Sequence, residues 1–245
     1  AAIEGLGEVA EALAVIVELQ SSRRIAQTLM NTYVGKRSGA RVLSGAITRG
    51  SGEALRAVIW FCDLRGFTEL ADRLPRTELI ALLNDYFEVM AEAVRDAGGE
   101  VLKFVGDGML AIFELRDAAE TLRSAAAALA AAGTAAARVA TVNAERRRAG
   151  RPELRFGLAL HLGEVTYGNI GAPDRLDFTV IGPAVNHASR LEKLAGALGR
   201  PVVASASFAA AAPDASLVSL GRHSLRGVAE PQEVFAPADE AATAH

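Results

Sequence analysis

Two aspartates stand where a purely structural role would not need them. Asp63 ends a run of apolar residues, Ala57-Val58-Ile59-Trp60-Phe61-Cys62, and Asp107 sits inside Gly106-Asp107-Gly108, where no bulky neighbour blocks approach. If the strands that carry them are neighbours, the pair makes a hard, all-oxygen site suited to Mg2+ or Mn2+ and to two-metal phosphoryl chemistry. Each also has a plainer alternative, Asp63 as a helix N-cap and Asp107 as a turn former. Residues 64–68 open a helix and include a glycine, so the free N–H groups around Phe67 and Thr68 could hold phosphate. Lys103 lies among apolar residues shortly before Asp107, either as a ligand-binding group or as a snorkelling edge lysine. Asn186 and Arg190 are four residues apart and share a helix face, as an anion clamp or as an ordinary solvated surface.

The elements that must position these residues follow from periodicity and punctuation. The run 57–62 reads as a strand buried on both faces. A helix starts at Pro75 and ends at Gly98-Gly99. Residues 101–105 and 109–113 pair as a hairpin around Gly106-Asp107-Gly108. An alanine-rich helix over 117–148 is expected to break once at Gly133. Residues 155–162 and 164–170 are expected to form a second hairpin around Gly163, with His161 and Gly163 fixing its turn. A short extended segment over 177–181 precedes a helix opened by Pro183, and 202–203, 217–225 and 233–235 read as late strands. This order predicts an α+β fold, a ferredoxin-like βαββαβ sheet with helices on one face plus C-terminal strand additions. Residues 1–54 are set apart as an N-terminal helix and connector, and 55–240 as the main domain. The helix, over about 7–31 with Val9, Leu13, Ile16 and Val17 at helical spacing, either packs on its own domain or serves as a dimer-forming, signal-transmitting segment.

Composition narrows the class. A net charge of −3 argues against nucleic acid as the main partner, because backbone binding needs a basic surface. A single cysteine, Cys62, excludes an intrachain disulfide framework and fits a reducing, cytoplasmic setting. No secretion signal and no bilayer-spanning stretch is expected. The start at Ala1-Ala2 rather than Met reads as a fragment or a processed form of a longer protein, in which case an upstream sensor or membrane part would lie outside this chain. Trp60 and Cys62 read as strand-core residues, His187 as facing away from any site, and Arg146-Arg147-Arg148 as a solvated helix end.

Taken together, the blocks Phe61-Cys62-Asp63-Leu64-Arg65-Gly66-Phe67-Thr68, Leu102-Lys103-Phe104-Val105-Gly106-Asp107-Gly108 and Phe178-Thr179-Val180-Ile181-Gly182-Pro183-Ala184-Val185-Asn186-His187-Ala188-Ser189-Arg190 closely resemble the class III nucleotidyl cyclase catalytic domain. His161-Leu162-Gly163-Glu164-Val165, Leu225-Arg226-Gly227 and Glu233-Val234-Phe235 extend the resemblance over about 55–236. It implies an adenylate cyclase that turns ATP into cyclic AMP and pyrophosphate. Asp63 and Asp107 would hold two divalent ions, Mg2+ or Mn2+; Asn186 would position the ribose, and Arg190 would stabilise the transition state. Arg226 would contact the terminal phosphates. Lys103 and Thr179 would read adenine, where guanylate cyclases usually carry Glu and Cys. Thr179 departs from the commoner Asp at that position. The resemblance also implies a homodimer, with the metal carboxylates of each site from one chain and the Lys, Thr, Asn and Arg from the other. The alternatives are a guanylate cyclase, disfavoured by Lys103, and a catalytically silent nucleotide-binding module. A diguanylate cyclase would need a Gly-Gly-Asp/Glu-Glu-Phe hairpin, which Val105-Gly106-Asp107-Gly108-Met109 is not.

Overall fold

The computed structural model describes residues 2–238, with the Val9 side chain and residues 239–240 of the expected main domain lying outside the described part. The chain divides into two compact units: the residues up to Ser51 together with Asn169–Phe178, and Gly52–Gly168 together with the residues from Thr179 on.

The first unit holds α1 (Ala2–Tyr33) and α2 (Lys36–Leu43). The two helices meet where Gly39 lies against Met30; a Cβ at position 39 would come 3.1 Å from it. Leu13, Ile16, Val17, Ile25 and Leu29 of α1 are exposed. Asn169, buried, ties the unit together by donating from Nδ2 to the Ala46 carbonyl at 2.6 Å.

The second unit is built on a sheet in the order β2-β3-β1-β4-β6-β8-β7, with β5 paired to β4. The strands are β1 (Gly52–Leu64), β2 (Glu100–Val105), β3 (Gly108–Leu115), β4 (Phe156–Ala172), β5 (Arg175–Ile181), β6 (Val202–Ser205), β7 (Leu217–His223) and β8 (Gln232–Pro237), with the end of β4 and the start of β5 falling in Asn169–Phe178 of the first unit. Strands β2-β3-β1-β4 are the expected ferredoxin-like core, antiparallel throughout. The helices are α3 (Phe67–Arg73), α4 (Arg76–Asp96), α5 (Ala118–Arg148), α6 (Pro183–Ala197) and α7 (Ala206–Ala211).

Alternation along β1 sorts the core. Val58, Trp60 and Cys62 face α4 and α5, where Leu82, Tyr86 and Met90 meet the small side chains Ala125, Ala128, Ala132 and Ala135. The alanines let α5 approach closely. By length and composition α5 would pass for a membrane span, contrary to the expectation that no segment would, yet its alanine stripe is part of this core. The core helices share one face as expected, whereas α6 lies on the other: Leu191 and Ala195 pack with Ala159, Val203 and Val234.

Three local expectations change. Gly163 makes no turn: β4 is one continuous strand in which Gly163 pairs with Ala57, and a Cβ there would strike Ala184 of α6 at 2.6 Å. The glycine marks a close approach of helix to sheet. Gly133 leaves α5 unbroken. That helix is started by Asp117, whose Oδ1 accepts from Glu120 N at 2.7 Å, while Glu120 Oε2 accepts from Arg116 N at 3.0 Å. Arg146 is buried rather than solvated, because Asp85 and the Pro152 carbonyl satisfy its guanidinium at 2.5 and 2.6 Å.

Candidate active site

Asp63 is the penultimate residue of β1 and pairs with Gly108 on β3 and with Gly157 on β4. Both neighbours are glycines: Gly108 leaves room for the carboxylate, whereas the space at Gly157 is taken by the Arg65 guanidinium and Glu192. A Cβ at Gly108 would come 3.3 Å from Asp63 Oδ1. Asp107 occupies the β2–β3 turn between Gly106, at φ 63, and Gly108. Because Asp63 pairs with Gly108, the turn sets Asp107 next to Asp63, and the two carboxyls interact. Burial first, then the charge and hydrogen bond of Asp107, then the charge of Glu192 push the Asp63 carboxyl up to about 7, against a weak opposing bond from Leu64 N. Two adjoining carboxylates that repel one another form a site for positive charge. Among the described residues no third His, Cys, Asp or Glu joins them in a ligand cluster. Two oxygen ligands suit a hard divalent ion that keeps water or phosphate oxygens in its other positions, so the residues fit the metals the sequence implies.

Behind this pair lies a contact that the motifs do not announce. Arg65 Nη2 sits 2.8 Å from Glu192 Oε1 and donates to the Glu192 main-chain carbonyl at 2.8 Å. The carboxylate contact is an ion pair without hydrogen-bond alignment, leaving both Glu192 carboxylate oxygens without a hydrogen bond. Burial raises the Glu192 pKa, and Arg65 and Lys193 oppose that rise. The available signal was Gly157, an isolated glycine in an apolar strand, which marks close approach of another group.

The remaining candidates lie along α6 and its neighbours. Gly182, at φ 147, and Pro183 start α6, placing Asn186 exposed and Arg190 half-buried. Arg190 Nη1 donates to the Gly227 carbonyl at 3.5 Å, beside exposed Arg226. Thr179 on β5 is 3% exposed, and its Oγ1 has no hydrogen-bond partner. Lys103 is half-buried on β2 opposite Leu110, just past a bulge. Exposed apolar side chains flank these two positions, Phe104 and Val105 beside Lys103 and Ile181 beyond Thr179. Phe67 and Thr68 begin α3 after Gly66, at φ 73; the Phe67 ring packs against the core and Thr68 is exposed.

Thus the fold brings Asp63 and Asp107 together. Among the described residues, no hydrogen bond or ion pair joins them to Lys103, Thr179, Asn186 or Arg190. His187 stacks on His161 with ring centroids 4.3 Å apart, and His161 Nδ1 lies 2.8 Å from Ser205 Oγ. Burial, then the neighbouring His187, pushes His161 down to about 4.

Residues 53–236 match the family model of the adenylate and guanylate cyclase catalytic domain, and the chain belongs to that family. It is 35% identical over 149 residues to an adenylate cyclase of Anabaena cylindrica, covering 59% of this chain and 28% of that protein. It is 32% identical over 235 residues to an uncharacterized protein of Mycobacterium tuberculosis, covering 95% of this chain and 40% of that protein. The chain therefore spans less than half the length of these curated relatives. Among solved structures, the adenylyl cyclase CyaB from P. aeruginosa superimposes with TM-score 0.69 at 27% identity, over 76% of this chain and 94% of that one. The guanylyl cyclase Cya2 does so with TM-score 0.63 at 28% identity, over 75% and 92%. A bacterial light-regulated adenylyl cyclase shares the fold over 95% of this chain and 66% of its own, with TM-score 0.76 at 23% identity.

Proposed function

We propose that this chain is the catalytic part of an adenylate cyclase, converting ATP to 3′,5′-cyclic AMP and pyrophosphate at sites shared between two copies of the chain. The observation that carries the reading is the β1–β3 register, which pairs Asp63 with Gly108 and so sets Asp107 beside Asp63 at the end of β1. Family membership supplies the reaction class, but adenylyl and guanylyl cyclases are both similar to this chain. Base choice rests on Lys103 and Thr179. Lys103 donates to adenine N1, an acceptor, whereas guanine N1 carries a proton and would meet it donor to donor. Thr179 Oγ1 has no protein partner and is free to accept from the adenine amino group.

Two divalent ions bound at Asp63 and Asp107 would supply neutralisation of the triphosphate and a more acidic ribose 3′-hydroxyl. Asn186 holds the ribose so that its 3′-oxygen lies in line with the α-phosphorus. Arg190 stabilises the charge that builds on the phosphoryl oxygens, and the Gly227 carbonyl holds its guanidinium. Arg226 and the N–H groups of Phe67 and Thr68 bind the outer phosphates, from which pyrophosphate departs. The exposed Phe104 and Val105 beside Lys103, and Ile181 beyond Thr179, support completion of each site by a second chain.

The test is product formation from ATP and from GTP with Mg2+ or Mn2+, alongside Asp107→Ala. The expected outcome is cyclic AMP from ATP, little product from GTP, and a loss of at least about a hundredfold in the variant. Equal use of both nucleotides would favour the guanylate alternative. A folded dimer that binds ATP and makes no product with either metal would favour the silent module.

A further inference from the structure

Arg65, Gly157, Glu192 and Gly196 come from three separate parts of the second unit and interlock. The Glu192 side chain is 1% exposed, and its ion-pair partner is the Arg65 guanidinium. Room for that guanidinium exists only because two positions lack a side chain. A Cβ at Gly157 would overlap the Arg65 guanidinium and Glu192 Oε1, and one at Gly196 would lie 2.8 Å from Arg65 Nη1. Gly157 is also the β4 partner of Asp63. The Arg65 main chain is held by its N–H donating to the Arg155 carbonyl at 2.7 Å. The pair therefore grips the chain two residues beyond Asp63. At its other end it grips α6 two residues beyond Arg190. Two residues along a helix is a rotation of about 200°, so anchoring Glu192 toward the sheet aims Arg190 away from it. A buried ion pair is a poor source of net stability compared with apolar packing of the same volume, and conformational specificity is its better-attested use.

We propose that the Arg65–Glu192 pair is a positioning strut that makes the Asp63 end of β1 and the Asn186/Arg190 face of α6 move as one rigid body. Resting on the shared-site reading above, it follows that each strut joins the metal carboxylates of one catalytic site to the ribose- and phosphate-handling residues of the other. Arg65 and Glu192 act through these residues and need not touch the nucleotide.

The experiment has two parts. First, Glu192→Gln and Arg65→Lys are compared with the wild type in the intact chain, with sedimentation and thermal melting confirming a folded dimer. Cyclase activity is titrated against Mn2+ and ATP. The strut predicts a kcat about tenfold to a hundredfold lower and an Mn2+ half-saturation about tenfold higher in Glu192→Gln. KM for ATP stays within about twofold, and Arg65→Lys, which keeps the charge, retains part of the rate. Folded, dimeric Glu192→Gln with wild-type kcat and Mn2+ response would overturn the proposal. Second, Asp107→Ala chains are mixed with Arg190→Ala chains, which restores one complete shared site per mixed dimer, and Glu192→Gln is then added to one partner at a time. Loss of activity whichever partner carries it supports coupling of the two sites. Loss in one arrangement only overturns the coupling. An inactive starting mixture beside an active wild type overturns the shared-site reading and the coupling with it, while the first part still decides on the strut.

Discussion

Without a cation nearby, Asp63 keeps a proton up to about pH 7, because burial and the adjoining Asp107 both disfavour its charge. The folded chain therefore binds that proton more tightly than the unfolded chain, whose aspartate releases it near 3.8. Its contribution to stability is intact below that value and falls as pH rises towards 7. Asp63→Asn removes this penalty. At pH 8 and without metal it should raise stability by roughly 1–2 kcal/mol, after discounting for solvent screening of a half-exposed pair, as read by thermal or urea unfolding. Added Mn2+ should stabilise the wild type and leave the variant unchanged, while the variant loses activity. A second prediction concerns base choice: Lys103→Glu should lower kcat/KM for ATP by at least about a hundredfold and reduce the preference for ATP over GTP, measured with the two nucleotides in parallel. The two aspartates are legible in the sequence because one follows an apolar strand and the other lies between two glycines. Glu192 is not. Its partner is 127 residues away in the chain, and nothing local distinguishes a buried glutamate on a helix from a solvated one.

Elements were readable where punctuation and periodicity agreed. Pro75 and Gly98 bracket α4, and Gly106-Asp107-Gly108 turns β2 into β3, as their local chemistry demands. Misreadings arose where a glycine serves tertiary contact. Gly163 looks like a turn from its neighbours alone but sits in mid-strand so that Ala184 can approach, a reason visible only once α6 is packed. Gly133 is a different case: it is exposed in α5, and a Cβ there would meet nothing within 4 Å. Gly133→Ala should therefore stabilise the chain by about 0.5–1 kcal/mol, seen as a higher unfolding midpoint with activity unchanged. The short α7 was missed because Ala206–Ala211 has no amphipathic pattern, although Ser205 caps it by accepting from Phe208 N at 3.2 Å.

For the whole molecule, the proposed sharing of sites would make activity a property of the assembly. Specific activity per chain should rise with protein concentration and level off in step with dimer formation, measured by sedimentation on the same samples. The exposed apolar side chains of α1, including Leu13, Ile16 and Ile25, suit a helix that pairs with its copy. A chain beginning at Leu55 is expected to dimerise more weakly and to need a higher concentration for the same activity; unchanged dimerisation and activity would count against that role. Arg65, Gly157, Glu192 and Gly196 carry a consequence of another kind, for how this sequence can diverge. Gly157→Ala introduces a methyl group into the Arg65 guanidinium and should be severely harmful alone, yet far less so in a chain already carrying Arg65→Ala. The effect of a substitution at any of these four positions should therefore depend on which of the others has already changed, so the order of change is expected to matter.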